Sequence, residues 1–170
     1  MELENALRVV PNFPKEGVDF LDISPLLENP NYLKNLIQQL GEVSKKFEFN
    51  KIVAIESRGF ILGSALAMHL DKGFVMVRKK GKLPGKTVSN SYDLEYGSDT
   101  IEMLPTSLEK GEKVLVLDDV LATGGTAKAA CELVEKLEAE VSACLFLIEL
   151  DFLKGRDKLN YPTEALIHRQ

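Results

Sequence analysis

Between Val114 and Thr126 an apolar run ends in two adjacent acids, Asp118 and Asp119, and continues through Val120, Leu121 and Ala122 into Thr123-Gly124-Gly125-Thr126. The run Lys113 to Leu117 reads as a buried strand, and Thr126 to Glu138 as a helix with an apolar face at Ala130, Leu133, Val134 and Leu137. An ionised carboxylate only accepts hydrogen bonds, so the acid pair suits a group rich in hydroxyls, such as a ribose diol. Gly124 and Gly125 allow a tight turn and close approach of main-chain amides to a ligand. Free N–H groups at the helix start, with the helix dipole and the hydroxyls of Thr123 and Thr126, suit a phosphate monoester. Together these residues describe a pocket for a 5-phosphorylated sugar. The spacings of a P-loop and of a dinucleotide-binding turn are absent. Direct magnesium ligation by the acids is an alternative. A purely structural loop is another, but it leaves two acids, two glycines and two threonines so close together unexplained.

Further along the chain, Arg58 stands between Ser57 and Gly59 just after an apolar run, and a guanidinium binds phosphate oxygens bidentately. Arg78, Lys79, Lys80 and Lys82 put four cations within five residues. A solvated surface is the default for such residues. Against it, the cluster follows an apolar strand and opens a polar, Gly- and Pro-punctuated segment from Arg78 to Leu104. Long insertions of this kind in compact domains are often lids or binding loops.

The elements that must position these groups alternate along the chain. Asn29 and Pro30 cap a helix whose apolar stripe, Leu33, Leu36, Ile37, Leu40, Val43 and Phe47, runs to about Phe47. Strands are expected over Lys51 to Ile55, Phe74 to Val77 and Val141 to Leu150, with a helix over Phe60 to Leu70. Thr87 to Leu94 and Thr100 to Leu104, with a turn at Tyr96-Gly97-Ser98, suggest a hairpin. This order implies an α/β fold, a parallel β-sheet flanked by helices on both faces. The 170 residues fit a single domain, 1–170, with a lid insertion at about 79–104. Hydrophobic residues make up 45% and charged residues 28%, which excludes disorder and coiled coil. A net charge of −5 gives no basic field for nucleic acid or anionic membrane, and no apolar run is long enough to span a bilayer. Cys131 and Cys144 read as buried small hydrophobes of a cytoplasmic protein.

The thirteen residues Val114 to Thr126 resemble the signature for 5-phosphoribosyl 1-diphosphate (PRPP) of the type I phosphoribosyltransferases. The rest of the chain is similar, in order, to the adenine phosphoribosyltransferases. Phe13 to Pro25 resembles their base-binding segment, Glu56 to Phe60 their second loop and Arg78 to Gly85 their basic loop. Tyr92 to Gly97 resembles their mobile lid, and Leu150 to Leu159, with its Lys-Gly-Arg, their C-terminal stretch.

The resemblance implies transfer of the 5-phosphoribosyl group of PRPP to adenine, giving AMP and pyrophosphate in purine salvage. It implies PRPP binding by Asp118, Asp119, Ala122, Thr123, Gly124, Gly125 and Thr126, together with Ser57, Arg58, Arg78, Lys79, Lys82 and Tyr96. Arg58, on a loop where the family has a strained, cis peptide, faces pyrophosphate. The basic loop reaches toward the neighbouring subunit of a homodimer, with Lys80 left to solvent. Glu95 is the implied catalytic acid/base at the purine. Adenine is read by Val18, Asp19, Phe20 and Leu21, mostly through main-chain groups. Many members carry Arg or Lys where Leu21 stands, and an apolar or neutral residue where Asp19 stands. Mg²⁺ is expected through PRPP, with no direct protein ligand. His69 and His168 read as a helix residue and a C-terminal surface residue. The rivals are a phosphoribosyltransferase for a 6-oxopurine and a PRPP-sensing regulator. The Tyr-Asp-Leu-Glu-Tyr-Gly lid speaks against the first; the small size, negative charge and retained Arg58 and Glu95 speak against the second.

Overall fold

A computed structural model describes residues 2–93 and 97–170. A seven-stranded sheet has the order β5-β6-β4-β3-β7-β8-β9. Its strands are β3 (Lys51–Ile55), β4 (Gly73–Lys79), β5 (Val88–Asp93), β6 (Ser98–Met103), β7 (Lys113–Leu121), β8 (Glu140–Leu150) and β9 (Thr163–Arg169). The five strands from β4 to β9 in that order run parallel, and the hairpin β5–β6 adds antiparallel to β4 through Arg78↔Glu102 and Lys79↔Ile101. A separate ribbon pairs β1 (Arg8–Val10) with β2 (Phe20–Asp22). The helices are α1 (Ser24–Glu28), α2 (Pro30–Ser44), α3 (Arg58–Leu70) and α4 (Gly125–Lys136).

Alternation along the central strands builds a core on each face of the sheet. Val114 and Val116 of β7 and Cys144 and Phe146 of β8 pack toward α4, where Ala130, Cys131, Leu133 and Val134 are buried. Leu115, Leu117, Leu145 and Leu147 face the opposite layer, formed by Leu36, Ile37 and Leu40 of α2 and Leu62 and Leu66 of α3. Both thiols are buried, with their sulfurs 3.5 Å apart. No helix among the described residues is long and apolar enough to cross a membrane.

Several boundaries differ from those expected. Helix α2 starts as predicted, with the Asn29 side chain accepting from the Asn31 and Tyr32 N–H groups, but ends at Ser44 because Lys45 to Phe47 tighten into a turn. Strand β7 does not stop at Leu117. Asp118, Val120 and Leu121 continue the ladder against Phe146, Ile148 and Glu149 of β8, so the acid pair lies inside the strand's last turns of pleat. Helix α4 starts one residue earlier than expected, at Gly125, and ends at Lys136 rather than Glu138. Helix α3 likewise begins at Arg58 rather than Phe60. The expected hairpin forms, with Ser91↔Thr100 and Asp93↔Ser98 in register; the expected turn falls partly on residues 94–96, outside the described residues. Strands β1, β2 and β9 were not expected from the sequence. Two short 3-10 turns, Asp151–Leu153 and Gly155–Lys158, carry the chain from β8 toward β9.

Candidate active site

A cavity of about 670 Å³ opens at the carboxyl ends of β3, β4 and β7, where open parallel sheets bind ligands. Its floor holds Asp118 and Asp119 of β7, with Ala122 and Thr126 where the chain turns into α4. Gly124 caps that helix in the left-handed region, at φ +79°, so the turn requires glycine. Thr123, Gly124 and Gly125 shape the turn without lining the cavity, and Thr123 is exposed.

The two acids differ. Asp119 is 5% exposed, and its Oδ2 lies 2.5 Å from Arg58 Nε. The contact is an ion pair without hydrogen-bond alignment, and Oδ2 has no hydrogen-bond donor among the described residues. Burial pushes the Asp118 carboxyl well above its usual range, and the adjoining Asp119 charge adds to that rise. The Asp118 Oδ1 accepts from the Asp119 N–H at 2.8 Å. Its other neighbour is Gly59, where a Cβ would stand only 2.9 Å from Oδ1; α3 can approach β7 only because residue 59 lacks a side chain.

Arg58 opens α3, and its guanidinium lies over the Phe20 ring, 5.1 Å from the centroid. Ser57 precedes it and lines the cavity, and the Glu56–Ser57 peptide is cis, the feature the resemblance implied for this loop. Val18, Asp19, Phe20 and Leu21 line the same cavity, so the segment expected to read a base shares it with Asp118, Asp119, Ala122 and Thr126 of the segment expected to hold a phosphosugar. An Asn12 side chain accepts from the Gly17 N–H, and the Arg8–Asp22 pair closes the β1–β2 ribbon beneath this segment. Hydrogen bonds from the Ser24 hydroxyl and N–H, and then from Arg8, hold the Asp22 carboxyl down at about 2.

The basic cluster divides. Lys79 lines the cavity and pairs with Asp99 at 3.1 Å, which raises its affinity for its proton. Arg78 turns back to Glu56 at 3.3 Å and donates to the Lys82 carbonyl, and Lys82 is exposed; neither lines the cavity. Burial acts to raise the Glu56 carboxyl, but the Lys79 N–H, Arg78 and Lys82 outweigh it and hold it below its usual value. Burial raises the Tyr92 hydroxyl, which donates to Asp99 at 3.4 Å. A Cβ added at Gly125 would come to 3.6 Å from the Tyr92 ring and from the Asp93 carbonyl oxygen, so the hairpin stands beside the turn with room for about one methyl group between them. Glu95 and Tyr96 lie outside the described residues.

Glu56, Tyr92, Asp99, Val120 and Leu150 also line the cavity and were given no site role from the sequence, although all but Asp99 fall in the motifs named above. Glu56 follows β3 and Leu150 ends β8; a position at the carboxyl end of a parallel strand was the signal available for both. Outside the cavity, Glu149, Asp151 and His168 bring one ligand atom each within 4.8 Å of one another, but Glu149 is already engaged by Arg156. His168 is an exposed strand residue and His69 lies in the last turn of α3 beside Gly41.

A mostly parallel sheet with a Gly-Gly turn opening a helix after β7, and a hairpin added antiparallel to β4, has the architecture of a type I phosphoribosyltransferase fold. The family model of the phosphoribosyl transferase domain matches residues 22–162. An adenine phosphoribosyltransferase of Kosmotoga olearia is 51% identical over 168 residues, covering 98% of this chain and 99% of the relative. The adenine phosphoribosyltransferase structure from Thermoanaerobacter pseudethanolicus superposes with a TM-score of 0.96 at 43% identity, covering 98% of this chain and 97% of that one. That of Saccharomyces cerevisiae, complexed with an imino-altritol bisphosphate and adenine, gives a TM-score of 0.92 at 47% identity over 96% of each chain. The chain belongs to the adenine phosphoribosyltransferase family.

Proposed function

We propose that the protein joins adenine to PRPP, forming AMP and releasing pyrophosphate, and that the cavity is where it does so. The observation that carries this reading is the juxtaposition, across one cavity, of the acid pair and helix start of β7–α4 with the base segment Val18–Leu21. The 5-phosphate would sit on the Thr123–Thr126 amides and hydroxyls, where the α4 dipole favours an anion. Asp118 and Asp119 would accept from the ribose hydroxyls. Asp119 Oδ2 supports this, since beside its ion pair with Arg58 it accepts no aligned hydrogen bond among the described residues.

Breaking the C1–O bond gathers negative charge on pyrophosphate and positive charge on the ribose ring. Arg58, Ser57 and Lys79 are the groups proposed to receive the pyrophosphate, Arg58 moving from Asp119 onto it. Arg78 and Lys82 are proposed to serve the same anion, with Tyr96 over the PRPP. Glu95 is proposed to take up the proton that adenine gives up as its new bond to C1 forms. Val18, Asp19, Phe20 and Leu21 would hold the base, Phe20 being already stacked beneath Arg58.

Mg²⁺ is expected to arrive on PRPP and to neutralise part of the diphosphate charge. The acids fit a water-mediated contact with such a complex better than direct ligation, because Asp119 is paired with Arg58 and Asp118 is held toward its protonated form. A single catalytic domain with residues 79–104 as a lid, a homodimer and a cytoplasmic location complete the proposal. Two buried cysteines that form no disulfide framework support the last. Ile61 and Met68, 45% and 86% exposed on one side of α3, with Met76 42% exposed on β4, support a surface covered by a second copy.

The test is purified protein with PRPP, Mg²⁺ and each purine base in turn, with the nucleotide product separated by chromatography. AMP from adenine alone is expected. Product from a 6-oxopurine would overturn the base assignment, and PRPP binding without any product would leave a sensor rather than an enzyme.

A further inference from the structure

The Lys-Gly-Arg turn after β8 has no part in the proposed reaction, yet its backbone packs directly against the turn at Ala122–Gly124. Lys154 adopts the left-handed conformation at φ +52° and turns the chain so that buried Gly155 faces Ala122 and Gly124. A Cβ on Gly155 would overlap the Ala122 carbonyl oxygen and stand 2.9 Å from the Gly124 nitrogen. A Cβ on Gly124 would in turn overlap the Gly155 carbonyl oxygen and stand 3.1 Å from its Cα. The two backbones therefore touch through a pair of glycines, with no side chain between them, and Gly155 itself does not line the cavity.

The turn is held from its other side. Arg156 donates from Nε to the buried Glu149 at 3.0 Å, pairs a second time through Nη2, and donates from Nη1 to the Thr163 carbonyl of β9. A two-pronged pair of this kind fixes direction as well as distance. The Lys154 N–H bonds the Asp151 carbonyl at 3.1 Å and Asp157 N–H bonds that of Lys154 at 3.1 Å, which completes a rigid knuckle.

We propose that this knuckle is a positioning element for the substrate phosphate: Gly155 sets the height of the Ala122–Gly125 main chain, and Arg156 clamped to Glu149 holds Gly155 there. Gly155 and Arg156 touch no substrate and act through the turn. The inference rests on the reading that this turn binds the 5-phosphate of PRPP.

In Gly155→Ala the new methyl displaces Ala122 and Gly124, and losing a hydrogen bond to the charged phosphate costs about 10- to 100-fold in affinity. The expected result is a rise of that order in the KM for PRPP and a matching rise in the Kd of ribose 5-phosphate by calorimetry. The KM for adenine at saturating PRPP stays within about twofold, because the base segment is untouched. Arg156→Gln keeps the backbone contact and loosens the clamp; it should show the same split at about three- to tenfold, and it supplies the test alone if Gly155→Ala is insoluble. A merely structural role would lower the active fraction, cutting kcat while leaving both KM values and the ribose 5-phosphate Kd unchanged, and would overturn the proposal. The unsubstituted enzyme separates the two readings. If it neither turns over PRPP nor binds ribose 5-phosphate, the functional reading itself falls; if it does both and the variants match it, only the positioning role falls.

Discussion

Replacing Asp119 by Asn tests whether the acid pair reads the ribose. The substitution keeps shape and one acceptor but removes the charge from a side chain that is buried and has one oxygen without a donor. A hydrogen bond to a charged group contributes about 1.5–3 kcal/mol. Part of that is offset in the parent protein, where PRPP must compete with the Arg58 pair; a pair whose arginine is 40% exposed contributes about 1 kcal/mol or less. The net loss is about 0.5–2 kcal/mol, so the KM for PRPP should rise about 2- to 30-fold. Steady-state kinetics with adenine saturating, repeated over a series of Mg²⁺ concentrations, measures it. Thermal unfolding should show no loss of stability, since removing one of two adjoining acids relieves the repulsion that raises the Asp118 carboxyl. A KM for PRPP within about twofold of the parent would refute the ribose role. A loss that raised Mg²⁺ restores would move Asp119 to direct metal ligation.

Other outcomes follow from the same geometry. Glu95→Gln should lower kcat by about 100-fold or more with the PRPP KM nearly unchanged, as general acid–base groups do; equal losses in both would remove the proton-transfer role. Asp22→Ala should cost about 1 kcal/mol at pH 7 by urea unfolding, discounted for the exposed Arg8 partner, and should raise the adenine KM because Asp22 anchors the end of the base segment. The folded carboxyl sits at about 2 against about 3.9 unfolded, so its stabilisation is complete above that unfolded value and disappears as pH falls toward 2. The variant's deficit should accordingly shrink over that window, and a deficit independent of pH would show that the charge is irrelevant. Hydrogen bonding to Cys144 and burial both push the Cys131 thiol up, so neither cysteine should react with iodoacetamide at pH 8 until the protein is unfolded, when intact mass should show both labelled.

The parts of the fold that were legible in the sequence are those whose periodicity is paid for locally. Leu115, Leu117, Val114 and Val116 alternate between two cores, and Asn29-Pro30 caps a helix with an apolar stripe; each signal is complete within a short window. Strand β9 carries a half-polar sequence, Thr163 to Arg169, and exists because β8 offers it a parallel edge. The three-residue strands β1 and β2 depend on the Arg8–Asp22 pair across 14 positions. The continuation of β7 through Asp118 and Asp119 has the same origin, since the ladder to β8 outweighs the polar side chains. Within the site, the turn chemistry of Thr123 to Thr126 was readable because glycine, threonine and acid each limit what a helix start can do. Which cation of the basic cluster enters the cavity was not readable. That depends on Asp99 drawing Lys79 in and Glu56 drawing Arg78 back, contacts across 20 and 22 positions. The Lys-Gly-Arg turn was visible as a motif, but its contact with Gly124, across 31 positions, exists only in three dimensions.

The most direct test is the crystal structure of this protein grown with AMP. The expected density puts the 5-phosphate on the Thr123–Thr126 amides, the ribose hydroxyls on Asp118 and Asp119, and the adenine edge on the main chain of Val18 to Leu21. AMP bound with its phosphate away from the start of α4, or with its base outside the Val18–Leu21 wall, would contradict the site proposed here.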